Sequence, residues 1–194
     1  MSNADLLLYM RGVRDELDKL LEQYQREYAA AVNVSFMKQK VDLQPGQPAP
    51  EKKLAPGEDR DAFRDLAAGI QSKYNSILDQ AVAKWSEAVS AVPSEDTVRF
   101  LDQFALKKEM TKDEVDAVIA AHGDTYIGYE RIADIAADHD IRIDRHQLRY
   151  VKDWIDSQRA TASHISLLEA ERGAASPGSI AFNKFFRDDS VLEE

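Results

Sequence analysis

Two long stretches of this 194-residue chain repeat apolar residues at the spacing of an amphipathic helix, and a proline-rich segment separates them. In the first stretch, residues 1–40, the apolar positions alternate in steps of four and three, which is the spacing of a coiled-coil seam. The seam consists of Leu6, Met10, Val13, Leu17, Leu20 and Tyr24. A lone helix of that length has nothing against which to bury its seam, so we predict that these six residues form an interface.

The proline-rich segment, residues 41–61, predicts an exposed and flexible linker. It contains Pro45, Pro48, Pro50 and Pro56, and proline can neither donate a backbone hydrogen bond nor continue a helix. Residues 62–93 resume the helical spacing and stop at Pro93, which predicts a second long helix. The two helices could pair as an antiparallel hairpin within one chain or as a coiled coil between two chains, and we predict a homo-oligomer.

Charge and composition limit the possible partners. The net charge is −10, and residues 94–144 alone carry six basic and thirteen acidic side chains, a net −7. A surface of that sign repels phosphate, so we expect no nucleic-acid partner. The chain has no cysteine and no apolar run long enough to span a membrane, so we expect a cytoplasmic protein without a membrane partner.

Residues 94–173 predict an acidic module of short helices followed by a long final helix. Several residues predict where these helices begin and end. The predicted starts are Ser94, the pair Thr111 and Glu114, Asp124, and the pair Asp144 and Gln147, and Gly123 is a predicted end. The last pair would start a helix that ends near Gly173. No segment alternates with period two, so the predicted fold class is all-α.

One stretch of the module, "DIAADHDIRID" at residues 134–144, concentrates four aspartates around His139. On a helix, His139 falls on the apolar side with Ile135, while Asp134 and Asp138, together with Glu130, fall on the other side. We therefore predict a solvated acidic face and no metal site, with His139 and Asp140 as the candidate ligands if a metal does bind. An EF-hand is excluded, because Arg142 and Arg149 occupy ligand positions of its loop.

The residues "ADHDI" resemble the metal-binding His-Asp dipeptide of the HD-type phosphohydrolases. That resemblance implies a metal-dependent enzyme, with His122 as an earlier ligand and Asp153 or Asp156 as a later one. The sequence departs from the family after the dipeptide, where Arg142 and Ile143 replace small, glycine-bearing residues. We keep a metal-dependent enzyme as a third functional hypothesis, after the two that are described below.

The tail, residues 174–194, contains Phe182, Phe185 and Phe186 at helical spacing. We include these phenylalanines among the predicted interface residues, either for a groove on a partner or for packing against their own protein. The chain contains none of the sequence motifs of nucleotide-binding loops or of serine hydrolases, so we predict no catalytic residue, no cofactor and no small-molecule ligand.

Residues 92–141 also contain a longer pattern that resembles a group of known sequences. A helix beginning Thr-x-x-Glu leads to a Gly-Asp-x-Tyr turn and then to an Ile-Ala helix that ends at His-x-Ile. The residues concerned are Thr111, Glu114, Gly123, Asp124, Tyr126, Ile132, Ala133, Ile135, Ala136 and His139. This pattern resembles uncharacterised helical proteins encoded in phage and prophage structural-gene regions.

The resemblance implies a non-enzymatic assembly protein or minor structural protein of a virion. It would act through coiled-coil association, and other virion or assembly proteins are its possible partners. The alternative is a cytoplasmic helical adaptor or regulatory protein unrelated to phage. Neighbouring genes distinguish the two hypotheses.

Overall fold

The computed structural model describes residues 3–172, and this part of the chain folds into helices without any β-strand. The predicted all-α class is confirmed. The helices are α1 (Asn3–Val41), α2 (Glu58–Val89), α3 (Glu95–Phe104), α4 (Lys112–His122), α5 (Tyr126–Asp138), α6 (Leu148–Ser163) and α7 (Leu167–Glu171).

The described residues divide into two compact units. Residues 3–12 and 80–155 form the first unit, and residues 13–79 and 156–172 form the second unit. Among residues 3–172, no helix combines the length and the apolar character that a membrane span requires.

In the second unit, α1 and α2 pack together through aromatic side chains. The ring of Phe63 on α2 lies 5.9 Å from the Tyr24 ring and 5.2 Å from the Tyr28 ring, the latter edge to face. Further along, Lys38 of α1 forms an ion pair of 2.6 Å with Asp59 of α2. The two long helices therefore meet along one side of α1, within one chain.

The seam of α1 is buried in the isolated chain. Five of its six side chains are at most 9% exposed and Leu20 is half-buried; the five are Leu6, Met10, Val13, Leu17 and Tyr24. Of the two arrangements that the sequence left open, the structure has the one in which the helices pair within a chain. No apolar seam is left for a second copy at these positions.

The connection between α1 and α2, residues 42–57, is hydrogen-bonded to α1 near its C-terminal end. Leu54 is only 2% exposed. Next to it, the backbone N–H of Ala55 donates to the hydroxyl of the fully buried Ser35, with 2.7 Å between nitrogen and oxygen. The other residues of the connection are exposed or half-buried, so the prediction of an exposed linker fails only at Leu54, an apolar residue among the prolines.

The end of the described chain provides a third helical layer for the second unit. The hydroxyl of the buried Tyr74 donates to the side-chain oxygen of Gln158 on α6 at 2.6 Å. The predicted long final helix is divided into α6 and α7, because Ser166 leaves the helical conformation and caps α7 through its hydroxyl. Its carbonyl oxygen accepts a hydrogen bond from the Tyr24 hydroxyl.

The first unit has its own apolar core, built mainly by α3, α4 and α5. Its fully or nearly buried members are Leu101, Val115, Val118, Ile132, Ile135 and Ala136. Thr111 and Glu114 form the predicted capping box at the start of α4. The cap of α5 is Thr125, one residue after the predicted Asp124, because the Thr125 hydroxyl accepts from the Gly128 backbone.

Gly128 also sets how closely α5 approaches the end of α4. A Cβ atom at this position would lie 2.8 Å from the carbonyl oxygen of His122, which is closer than real Cβ contacts come. The first turn of α5 can therefore reach the α4 C-terminus only with glycine at residue 128.

Interface residues were predicted near both ends of the sequence, and the structure describes only one of these two groups. The seam residues lie within the described part of the chain. Phe182, Phe185 and Phe186 lie outside the described residues, so their predicted interface role stays a prediction.

Replacing Leu17 with alanine tests whether the seam is an intrachain core. The fully buried leucine leaves a cavity when it is truncated, and we expect the free energy of unfolding to fall by about 2–5 kcal/mol. Chemical denaturation monitored by circular dichroism measures it.

The matched control is Leu8→Ala on the same helix, where the side chain is 69% exposed and the loss should stay within about 0.5 kcal/mol. Both denaturation midpoints should be independent of protein concentration. A midpoint that rises with concentration would instead show that the seam is buried between chains.

Candidate binding cleft

The acidic stretch that raised the question of metal binding ends α5 in a Schellman motif. His139 is the C-cap, and Asp140 follows in the left-handed conformation with φ 59°. The Ile141 N–H donates to the Ala136 carbonyl at 2.9 Å, and the Asp140 N–H donates to the Ala137 carbonyl at 3.1 Å. These two bonds are the ones that define the motif, so the conformation of His139 and Asp140 is that of a helix end.

The candidate metal ligands are not gathered into a site. Within residues 3–172, no three side chains of histidine, aspartate or glutamate lie close enough to hold a metal ion together. His122, the earlier ligand of the HD-type hypothesis, stacks its ring on Phe100 with 4.2 Å between centroids. Its Nδ1 atom lies 3.4 Å from the Thr97 hydroxyl oxygen.

Two of the carboxylates on α5 hold the connection to α6, residues 139–147. The guanidinium of Arg145 lies 2.9 Å from a Glu130 oxygen and 2.7 Å from an Asp134 oxygen. The second Glu130 oxygen accepts the backbone N–H of His146 at 3.1 Å. The prediction of a solvated acidic face was wrong for Glu130, which is only 19% exposed in its side chain.

His146 caps the start of α6, which was the role predicted for Asp144. Its Nδ1 atom accepts the backbone N–H of Leu148 at 3.2 Å, which places the ring proton of the neutral imidazole on Nε2. The Tyr129 ring packs edge to face on it at 4.9 Å. Burial lowers the pKa of His146, and the Glu130 carboxylate acts in the opposite direction.

A cleft of about 360 Å³ lies between α4, α5 and the connection. Seven residues line it: Lys112, Asp116, Ile119, Tyr129, Arg142, Ile143 and Asp144. Ile119 and Ile143 also pack against the core of the first unit, so they form a floor that the core supports. The Tyr129 hydroxyl donates to the carbonyl oxygen of Asp144 at 3.0 Å, which fixes one wall to the connection.

The rim of the cleft carries charges of both signs. Lys112 forms a 2.6 Å ion pair with Asp116, and that hydrogen bond raises the pKa of Lys112. Arg142 is exposed and has no ion-pair partner among the described residues. The cleft can therefore bind an apolar group on its floor and an acidic group at Arg142.

No protein-family model matches this chain, and neither a curated protein nor a solved structure shows significant similarity to it.

The titration of His146 should make the protein less stable as pH falls. Since its pKa is lowered in the folded protein, the unfolded chain takes up a proton that the folded chain excludes. We expect the free energy of unfolding to fall as pH drops through the ordinary histidine pKa of ~6.5, and this component to level off below the lowered pKa of His146 in the folded protein.

The variant His146→Asn isolates this effect, because an asparagine oxygen can still accept the Leu148 N–H but does not titrate. In urea denaturation at a series of pH values, its stability should depend less on pH than that of the original protein. His164→Asn is the control at an exposed histidine of the second unit. Equal pH dependence in the original protein and His146→Asn would contradict the structural assignment.

Asp140→Gly should stabilise the protein by about 0.5–1 kcal/mol, because glycine adopts the left-handed conformation without a Cβ penalty. Asp140→Asn separates the removal of charge from the backbone effect, since asparagine keeps the side-chain size. Thermal unfolding measures both variants. A loss of stability in Asp140→Gly that manganese, iron or zinc modulates would instead support a metal role for Asp140.

Proposed function

We propose that this protein is a non-enzymatic binding protein, and that the cleft beside the α5–α6 connection is where it binds a partner protein. In our proposal it serves phage or prophage assembly, or is a minor component of the virion. The observation that carries the proposal is the construction of the cleft, with an apolar floor on the core and a rim of mixed charge.

The size of the cleft favours one or two side chains of a partner over a large ligand. Its volume of about 360 Å³ is near the lower end of the ~300–1,000 Å³ range of small-molecule sites. Protein contacts often place one apolar anchor in a pocket and surround it with polar groups that confer orientation. An apolar side chain over Ile119 and Ile143, next to a carboxylate facing Arg142, would satisfy both requirements.

The hydrogen bonds at both ends of the connection support binding at this place. Its backbone is fixed at one end by the Schellman motif and at the other by the contacts of Glu130 and His146. A preorganised surface loses less conformational entropy on association than a loose loop does. The cleft walls are therefore suited to a specific partner.

The link to phage rests on the resemblance of residues 92–141. Four of the seven residues that line the cleft lie within that stretch, namely Lys112, Asp116, Ile119 and Tyr129. The same segment that resembles the phage-encoded proteins thus builds most of the proposed binding surface. Self-association through the α1 seam is not part of the proposal, because that seam is buried within one chain.

Reversing the charge of Arg142 tests the cleft. Products of the genes that flank this one would be co-expressed with the full chain, and affinity would be measured by calorimetry for any that bind. We expect Arg142→Glu to weaken binding by about tenfold or more, because a repulsive charge replaces an attractive one at the contact.

Lys108→Glu is the matched control, because this exposed lysine of the same unit lies outside the cleft and changes the net charge equally. Capsid, portal or tail genes as neighbours support the assembly role, whereas an unrelated operon would contradict it and leave a cytoplasmic adaptor. Equal losses in the two variants would contradict binding through the cleft.

A further inference from the structure

An apolar stripe lies exposed near the C-terminal end of α1. Val34, Met37 and Val41 are 56%, 57% and 80% exposed, and their spacing places them on one face of the helix. We call these three residues the α1 stripe. They line a shallow groove of about 620 Å³ together with Asn33, Lys38 and Asp42.

The stripe adjoins the face of α1 that is already in use. Lys38 lies between the stripe and the buried Ser35 on the helix surface, and it is paired with Asp59 at the beginning of α2. The groove therefore opens beside the contact of the two long helices, and the described residues of the second unit leave it uncovered.

The described chain ends close to this groove. Glu171, at the end of α7, forms a 2.8 Å ion pair with Arg60, the residue after Asp59. Glu171 also lies near Tyr28 of α1, because its charge, after burial, raises the pKa of that tyrosine. From Tyr28 to Met37 the distance along the helix axis is about 13 Å, at ~1.5 Å per residue.

The chain that follows is long enough and has a suitable sequence. Residues 173–194 follow Arg172, and Phe182 is the tenth of them. Ten residues can span up to about 33 Å, so Phe182 can reach the stripe. Phe182, Phe185 and Phe186 have the i, i+3, i+4 spacing of one helix face, and methionine accommodates aromatic rings readily.

The extent of the stripe favours a tethered segment over a second copy of the chain. Three partly exposed side chains offer on the order of 300 Å², whereas stable partners each bury ~800 Å². A tether compensates for a weak contact, because it supplies an effective concentration near the millimolar range. At ~1 mM, a contact with a Kd of about 0.1 mM would be about nine-tenths occupied.

We propose that the tail of the same chain covers the α1 stripe, with Phe182, Phe185 and Phe186 packed against Val34, Met37 and Val41. The contact is intramolecular and belongs to the second unit. It is independent of the proposed binding cleft, which lies in the first unit.

The composition of the chain makes this contact measurable in the full-length protein. Because there is no native cysteine, Ser190→Cys provides a single attachment site for a nitroxide. The chain has four methionines, and labelling their methyl groups with ¹³C makes Met37 a probe within the stripe, with Met10 and Met110 as references. Paramagnetic attenuation of each methyl signal then reports its distance from the tail.

We expect the Met37 signal to lose more than half of its intensity, and more than either reference signal loses. Replacing all three phenylalanines with serine should restore the Met37 signal, and so should Val34→Ser combined with Val41→Ser. Leu8→Ser is the control, since it removes an exposed leucine of α1 outside the stripe and should leave the attenuation unchanged.

A mixed sample separates the tail from a second copy. In it, one chain carries the nitroxide and a different chain carries the ¹³C label. The proposal predicts no attenuation of Met37 in the mixture at low concentration. Attenuation equal to that of the doubly labelled chain would overturn it in favour of association between chains, and no attenuation in either sample would overturn it outright.

Discussion

The fold depends on the burial of the α1 seam within a single chain. A helix of 39 residues has an apolar stripe too long to leave in water, and helical propensity alone contributes little to its stability. In the second unit, α2 supplies the aromatic contact at Phe63, and the segment between α6 and α7 returns to α1, where the Ser166 carbonyl oxygen accepts a hydrogen bond from the Tyr24 hydroxyl. Since these contacts use up the seam, surfaces for other proteins must lie elsewhere.

In the acidic connection between α5 and α6, the constraint is the pairing of backbone polar groups. Its polar groups form hydrogen bonds with backbone atoms that two helix ends leave without partners. Glu130 accepts one N–H and holds Arg145, while His146 accepts another. These hydrogen bonds hold the connection in place, and three of its residues form one wall of the cleft.

Periodicity was sufficient to predict the helical class, the two long helices and the capping box at Thr111, because these follow from local spacing. It was insufficient wherever a distant contact decides the outcome. Leu54 is one apolar residue among prolines, and only the presence of Ser35 and its neighbours makes it an anchor. The break at Ser166 did have a local signal, since Ser166 and Glu169 have the spacing of a helix start and the Ser166 hydroxyl accepts the Glu169 N–H, but the helical spacing of the apolar residues continues through it.

The cleft was missed for a related reason. Its lining comes from three separate segments, and no pattern in the sequence indicates that they come together. Glu130 and Asp134 could have been noticed as carboxylates one helical turn apart, but nothing in a single sequence pairs them with Arg145. A dense run of aspartates in a sequence indicates a candidate metal site. In the structure, each of these charges is either exposed or paired with Arg145, where it supports the turn. The two surfaces for which we propose contacts are less conspicuous in the sequence: the isoleucine floor of the cleft in the first unit and the α1 stripe in the second unit.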